Sequence, residues 1–187
     1  HFNLGIAYHK TGKLEDSIRE YRRVIEIRQD YQEAYVNLGI VYFVLGNNSD
    51  AIEAFNKAST LDANNAKVYY YLGNVYSKMD NADNAVVEYK KAVKINPRLL
   101  APHYNLGLIY LKKQMADQAI EEFTQVIVLD HDYADAYLNR GKAYELKGDK
   151  TNAQSDYHSY QHAKSAFART YKEENHSPDY EGSSPGK

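Results

Sequence analysis

The amino-acid sequence predicts an all-α protein, an α-solenoid of stacked antiparallel helix pairs. Three observations support this fold class. Glycines recur every 34 residues, an interval typical of helical repeats, at Gly5, Gly39, Gly73, Gly107 and Gly141. Tyrosines keep the same interval, at Tyr8, Tyr42, Tyr76, Tyr110 and Tyr144. Between these positions apolar residues recur at helical spacing, and short turn-forming stretches separate the helical segments.

The second unit shows how the first helix of a pair is encoded. Tyr35, Leu38, Gly39 and Tyr42 fall on one stripe, at spacings of 3, 4 and 7 residues. We therefore expect a helix from about Glu33 to Leu45. Its glycine, which has no side chain, should let a neighbouring helix approach closely.

A turn and a second helix complete the unit. Gly46-Asn47-Asn48 predicts the turn. Ser49 or Asp50 is expected to cap the following helix, because both residue types accept hydrogen bonds from free backbone N–H groups. The apolar residues of this helix share one side: Ala51, Ile52, Phe55, Ala58 and Leu61. One pair cannot bury both of its faces, so the units must stack.

The fifth unit ends differently from the others. Its last stretch, residues 162–166, contains no Gly, Pro, Asp or Asn to stop a helix. Phe167 and Tyr171 continue the apolar stripe, so we predict one helix from about Lys150 to Glu174 whose second half caps the stack. Residues 175–187 are rich in Ser, Pro, Gly and charge, which is typical of a disordered tail.

The units resemble the tetratricopeptide repeat. The family pattern is matched in the third unit by Tyr69, Leu72, Gly73, Tyr76, Ala85, Tyr89 and Pro97. The resemblance implies a right-handed superhelix with a C-terminal capping helix, and a concave side made mainly of first helices. It covers five units: 1–31, 32–65, 66–99, 100–133 and 134–166, followed by the end of the capping helix at 167–174. The first unit is expected to be truncated, because His1 falls where its first aromatic residue should stand.

Composition excludes several classes of protein. Lys plus Arg number 23 and Asp plus Glu 25, so we expect no nucleic-acid partner, which would favour a basic excess. The absence of Cys excludes disulfide frameworks and thiol catalysis. No apolar stretch approaches the roughly 20 residues that a spanning helix needs, so no transmembrane segment is predicted in this chain. Localisation is left open between cytoplasm and export, because a leader could lie upstream of His1.

Catalytic and metal-binding patterns are missing. The sequence has no phosphate-binding glycine loop and no motif that pairs a nucleophile with a base. His158 and His162 share a helical face, but Ser159 stands where a zincin would carry Glu, which favours a surface pair over a metal site. We predict a non-enzyme with no cofactor and no metal.

The family resemblance also implies which residues bind a partner. In that family the concave groove is lined by fixed positions of the first helices. Carried over by register, the predicted partner-binding residues are Val36, Asn37, Ile40, Phe43, Tyr70, Tyr71, Asn74, Lys78, Tyr104, Asn105, Leu108, Lys112 and Asn139. Tyr70, Tyr71 and Tyr104 stand out, because aromatic anchors beside polar groups form interface hot spots. The alternative is that these tyrosines only pack between repeats.

Two known devices of the family involve residues of this groove. Asparagine recurs at one position, at Asn3, Asn37, Asn105 and Asn139. This row resembles the asparagine ladder of the O-GlcNAc transferase repeats, which implies contacts with a peptide backbone; the alternative is that Asn is simply common there. The carboxylate clamp of co-chaperones is rejected, because its three cationic positions are not cationic here and Asp135 would repel a carboxylate.

The leading functional hypothesis is therefore a non-catalytic interaction module that holds a peptide segment or an amphipathic helix in the groove. One alternative is a self-assembling structural solenoid, in which homo-oligomerisation covers the same face. Another is the regulatory repeat region of a larger enzyme whose catalytic domain lies before His1.

Overall fold

Ten α helices account for all regular structure in residues 1–175, the part of the chain that the computed structural model describes, with side chains described to Ser165. They follow one another as pairs, which confirms the predicted all-α fold class. The helices are α1 (Phe2–Lys10), α2 (Leu14–Ile27), α3 (Gln32–Leu45), α4 (Asn48–Leu61), α5 (Ala66–Lys78), α6 (Ala82–Ile95), α7 (Leu100–Lys112), α8 (Ala116–Leu129), α9 (Ala134–Lys147) and α10 (Lys150–Asn175). The odd-numbered helices are called A helices below, and the even-numbered ones B helices.

The chain divides into two compact units. Unit 1 comprises His1–Ile109 and unit 2 begins at Tyr110, so the division falls within α7. In unit 1, α1 packs on α2, α3 on α4 and α5 on α6, while α2 also contacts α3 and α4 contacts α5. In unit 2, α9 packs on both α8 and α10. Consecutive packing of this kind is what a solenoid requires, because each element buries its apolar face against its neighbours in sequence.

Gly5, Gly39, Gly73 and Gly141 of the A helices are each covered by an aromatic ring from the paired B helix. A Cβ atom added to Gly39 would lie 2.7 Å from the Phe55 ring, and one added to Gly73 would lie 2.4 Å from the Tyr89 ring. Both rings are almost fully buried. The expected close approach of the two helices at glycine is therefore confirmed. A residue with a side chain at these positions would clash with the aromatic ring of the B helix.

The predicted cap of α4 is wrong. Helix α4 begins at Asn48, Asn47 takes the capping position, and no side chain caps the helix. The reason lies in the preceding turn, where Gly46 has a φ of 82°. Gly46 N–H donates to the Phe43 carbonyl at 3.1 Å and Asn47 N–H to the Tyr42 carbonyl at 2.9 Å. This Schellman motif ends α3 so tightly that the next helix starts before Ser49 and Asp50.

The last helix runs without interruption from Lys150 to Asn175, which is the length predicted from the missing stop signals. Ala163, within it, is buried. The expected capping contacts of residues 167–174 lie outside the described side chains. Of the predicted tail, Asn175 is the last residue of α10, and residues 176–187 lie outside the described part of the chain. The boundaries proposed for the individual repeats remain predictions.

Candidate functional site

Most of the predicted partner-binding residues lie on the A helices of unit 1. Helix α3 carries Val36, Asn37, Ile40 and Phe43, helix α5 carries Tyr70, Tyr71, Asn74 and Lys78, and helix α7 carries Tyr104, Asn105 and Leu108. We call these eleven residues the A-helix face. Helices α3 and α5 are in direct contact, so the two helices bring their parts of this face together.

The apolar residues of α3 are packed rather than freely exposed. Val36, Ile40 and Phe43 are half-buried and lie against the hydrophobic core of unit 1. The Nζ atom of Lys78 lies 4.9 Å from the centroid of the Phe43 ring and donates to the Phe43 carbonyl oxygen at 3.3 Å. Lys78 thus joins α5 to α3 through a cation–π contact. Apolar side chains with larger exposure are Leu108 at 38% and Val44 at 54%.

The three tyrosines of the A-helix face have different surroundings. The ring of Tyr71 stacks on that of Phe55, with 5.5 Å between centroids and 10° between planes. Burial, followed by the proximity of Tyr70, raises the pKa of Tyr71. Tyr70 contacts the rings of both Tyr71, at 5.4 Å, and Tyr89, at 6.2 Å. Tyr104 is half-buried on α7. Tyr71 therefore packs between the second and third repeats, whereas the ring of Tyr70 contacts the rings of Tyr71 and Tyr89.

Two asparagines of this face share a buried phenol. The Tyr89 hydroxyl donates to Asn74 Oδ1 at 2.7 Å. Asn105 Nδ2 donates to Asn74 Oδ1 at 3.2 Å and to the Tyr89 hydroxyl oxygen at 3.1 Å. These bonds link α5, α6 and α7 and fix the orientation of both amides. Burial raises the pKa of Tyr89 to about 12, so its hydroxyl remains a donor beyond pH 10, where an ordinary tyrosine loses its proton.

Tyr89 is the site residue that sequence reasoning missed, because the family pattern assigns it to the scaffold. A signal was nevertheless present. The equivalent residue is Phe55 in the second repeat, where the position of Asn74 is taken by Ile40. A hydroxyl and an amide thus appear together in the third repeat, and an apolar ring and an apolar chain appear together in the second.

The remaining two predicted residues, Lys112 and Asn139, belong to unit 2. Lys112 is exposed, whereas Asn139 is only 8% exposed and its Oδ1 accepts a hydrogen bond from Lys142 at 3.2 Å. Beside it on α9, Arg140 forms a two-pronged ion pair with Asp156 on α10, at 2.8 and 2.7 Å. The bonds to Asp156 raise the pKa of Arg140. Arg140 therefore connects the two helices of this pair.

The histidine pair of α10 lines a small cleft. His158, His162, His131, Asp132 and other residues surround about 190 Å³ in unit 2. Within residues 1–165, where side chains are described, no three His, Asp or Glu side chains come close enough together to hold a metal ion.

Family models match nearly the whole repeat region. A model described as TPR repeat matches residues 5–46, 41–80, 81–114 and 116–148, and one described as Tetratricopeptide repeat matches residues 135–169. The chain belongs to the tetratricopeptide-repeat family. The family assignment made from the 34-residue spacing is thereby confirmed.

Solved structures of other repeat proteins are similar to this chain. A crystal structure of MamA has 28% identity and a TM-score of 0.83, covering 90% of this chain and 99% of its own. A MamA fragment from Desulfovibrio magneticus RS-1 has 21% identity and a TM-score of 0.78, covering 88% and 93%. YrrB, described as a TPR protein with an unusual peptide-binding site, has 24% identity and a TM-score of 0.74, covering 92% and 90%. No curated protein matches the sequence significantly.

Together the family and the helix-pair architecture define a protein-interaction scaffold, because stacked repeats of this kind present extended surfaces to protein partners. In the described part of the chain, no helix combines the length and the apolar character needed to cross a membrane.

Proposed function

We propose that this chain is a non-catalytic scaffold whose A-helix face binds a peptide segment or an amphipathic helix of a partner protein. The observation that carries the proposal is the position of Tyr70. Its ring rests on Tyr71 and Tyr89, beside amides that the Tyr89 hydroxyl holds in place. A rigid, half-exposed aromatic ring next to oriented polar groups is the composition of an interface hot spot.

The chemistry of the face favours an apolar anchor over a ladder of backbone contacts. Asn105 already uses its donor group on Asn74 and Tyr89, so a peptide that bonded to this donor would have to displace an internal hydrogen bond. Leu108, on the same helix one turn away, is 38% exposed and offers apolar area instead. An amphipathic helix with apolar anchors at i, i+3 and i+4 would fit such a surface. YrrB is described as peptide-binding, but at its level of identity the likeness shows the fold alone.

The test uses peptides selected for binding to the intact chain from a random display library. Their affinities are then measured by fluorescence anisotropy for the wild type, Tyr70→Ala and Leu108→Glu. Loss of a hot-spot side chain should cost about 2 kcal/mol or more, which is about 30-fold in Kd. Val87→Glu is the control, because Val87 is a comparably exposed apolar residue on the B helix α6, outside the A-helix face. Peptides that bound the two A-helix-face variants as tightly as the wild type would contradict the proposal.

Light scattering distinguishes self-assembly from peptide binding. If copies of the chain cover the A-helix face of one another, light scattering will show a stable dimer, and Leu108→Glu will convert it to a monomer. A monomer that binds selected peptides supports the scaffold proposal.

A further inference from the structure

A cleft of about 620 Å³ lies in unit 1 between α2, α3 and α4, and no residue of the A-helix face lines it. Helix α3 lines it with Tyr35, Leu38 and Tyr42, while Arg22 comes from α2 and Ala54 from α4. We call this the B-helix cleft. Because it shares no lining residue with the A-helix face, a ligand in this cleft is independent of the function proposed for that face.

The repeat register shows how the second repeat differs from the others at this cleft. The B helices of the other four repeats carry an acidic residue at one position, and the second repeat carries Ala54 there. The four acidic residues are Glu20, Glu88, Glu122 and Asp156. Ala54 ends at its Cβ atom, so it leaves open the space that a longer acidic side chain would enter.

In the first, third and fifth repeats, this acidic residue pairs with a basic side chain of its own repeat. Glu20 Oε2 lies 2.6 Å from His1 Nδ1, and Glu88 Oε1 accepts from Lys91 Nζ at 2.8 Å. Asp156 accepts two bonds from Arg140 and is only 5% exposed. The position therefore places a carboxylate at a partly or fully buried site, where a nearby cation stabilises it.

In the second repeat Lys57 keeps one of the basic positions, but the carboxylate is missing, and Tyr35 and Leu38 stand where His1 and Arg140 stand in their repeats. Lys57 follows Ala54 by three residues, as Lys91 follows Glu88, and it lines the cleft. Among the described residues, no hydrogen-bond or ion-pair partner of Lys57 Nζ is found, while the equivalent Lys91 is paired. Arg22 Nη2 donates to the Tyr42 hydroxyl at 2.7 Å, a neutral acceptor.

We propose that the B-helix cleft binds a glutamate side chain of a partner protein, which supplies the carboxylate that the second repeat lacks. Lys57 and Arg22 provide the charge-assisted donors, and the rings of Tyr35 and Tyr42 cover the methylene groups of the ligand. This surface lets the protein hold a second partner segment on residues other than those of the A-helix face.

Two acidic residues of α4 should weaken the binding of this ligand, and substituting one of them tests the proposal. Asp50 and Glu53 are exposed and also line the cleft, and Glu53 stands four residues before Lys57 on the same helix. A carboxylate at Glu53 repels the incoming glutamate and competes for Lys57. Removing the charge at Glu53 should therefore strengthen binding, whereas removing it at Lys57 should weaken binding.

The experiment titrates two peptides into isotope-labelled full chain and follows the NMR signals of the Ala54 methyl group and the Arg22 side chain. The peptides are acetyl-Ala-Ala-Glu-Ala-Ala-amide and the same peptide with Gln in place of Glu. We expect saturable shifts with the Glu peptide and about tenfold weaker binding of the Gln peptide, since a hydrogen bond to a charged group is worth about 1.5 kcal/mol or more.

Four variants complete the test. Lys57→Gln should weaken Glu-peptide binding about tenfold, Glu53→Gln should strengthen it, and Ala54→Glu should abolish it by filling the cleft. Lys91→Gln is the matched control, because Lys91 is the equivalent residue of the third repeat and already pairs with Glu88, so this change should leave binding unchanged. The absence of saturable shifts would overturn the proposal. So would equal binding of the two peptides, or equal effects of Lys57→Gln and Lys91→Gln.

Discussion

Replacing Gly73 by Ala tests the helix-pair contact on which the whole repeat depends. The added Cβ atom would lie 2.4 Å from Tyr89 Cε1, whereas carbon atoms in contact prefer about 3.5–4.0 Å. The ring would have to move by about 1 Å. It cannot do so freely, because Tyr89 is 1% exposed and its hydroxyl is bonded to Asn74 and Asn105.

The change in the free energy of unfolding is the difference between two opposing contributions. Overpacking a buried site of this kind costs about 3 kcal/mol, and the higher helix propensity of Ala over Gly returns about 1 kcal/mol. We therefore expect Gly73→Ala to lower the free energy of unfolding by about 2 kcal/mol. Urea unfolding followed by circular dichroism measures this change.

A double-mutant cycle identifies the Tyr89 ring as the cause. In a Tyr89→Val background no ring remains for the new methyl group to meet. There, Gly73→Ala should raise the free energy of unfolding by about 1 kcal/mol, because only the propensity term is left. The reasoning is refuted if Gly73→Ala is destabilising by the same amount in both backgrounds.

Three further predictions concern backbone, charge and pH. Gln114 has a φ of 59°, a conformation that glycine adopts without strain, so Gln114→Gly should stabilise the fold by about 1 kcal/mol. Gln125→Gly within α8 should destabilise it by about 1 kcal/mol, because glycine is a poor helix former. Thermal unfolding of the two variants compares these effects. Asp156→Ala should cost about 3 kcal/mol, because it strands the largely buried Arg140, and adding Arg140→Leu should restore most of the loss in urea melts. Burial raises the pKa of Tyr89 to about 12 from an ordinary value near 10, so its contribution to the stability of the fold is complete below pH 10 and is lost as the pH rises from 10 to 12. Tyr89→Phe should therefore flatten the decline of the free energy of unfolding over this range by about 3 kcal/mol, measured by urea unfolding at each pH.

The repeat fold was predictable from sequence because it depends on residues at a fixed interval. Gly39 and Gly73 meet a ring from the paired helix sixteen residues later in the same repeat, so a local pattern specifies the contact. The uninterrupted α10 followed from the absence of helix-stopping residues, which is again a local property.

What could not be predicted depends on choices between competing local signals or on contacts between repeats. Ser49 and Asp50 are good capping residues, but the Schellman motif at Gly46 had already set where α4 begins. Tyr89 satisfies the family pattern as any aromatic ring would, so its hydroxyl became informative only when Asn105, sixteen residues further on, was found bonded to it. Arg140 replaces a leucine of the repeat, and only the structure shows that Asp156 compensates its charge.

The bond between Asn105 and the Asn74–Tyr89 pair has a consequence for how partners would be distinguished. The Asn74 Oδ1 acceptor, the Asn105 Nδ2 donor and the Tyr89 hydroxyl already bond to one another, so a ligand gains little by offering new hydrogen bonds to these three groups. Under the proposed function, selection among ligands then depends mainly on the shape and area of the apolar side chains that they present around Tyr70 and Leu108. A surface of this kind discriminates by fit rather than by motif, and it can accept unrelated sequences that share one apolar profile.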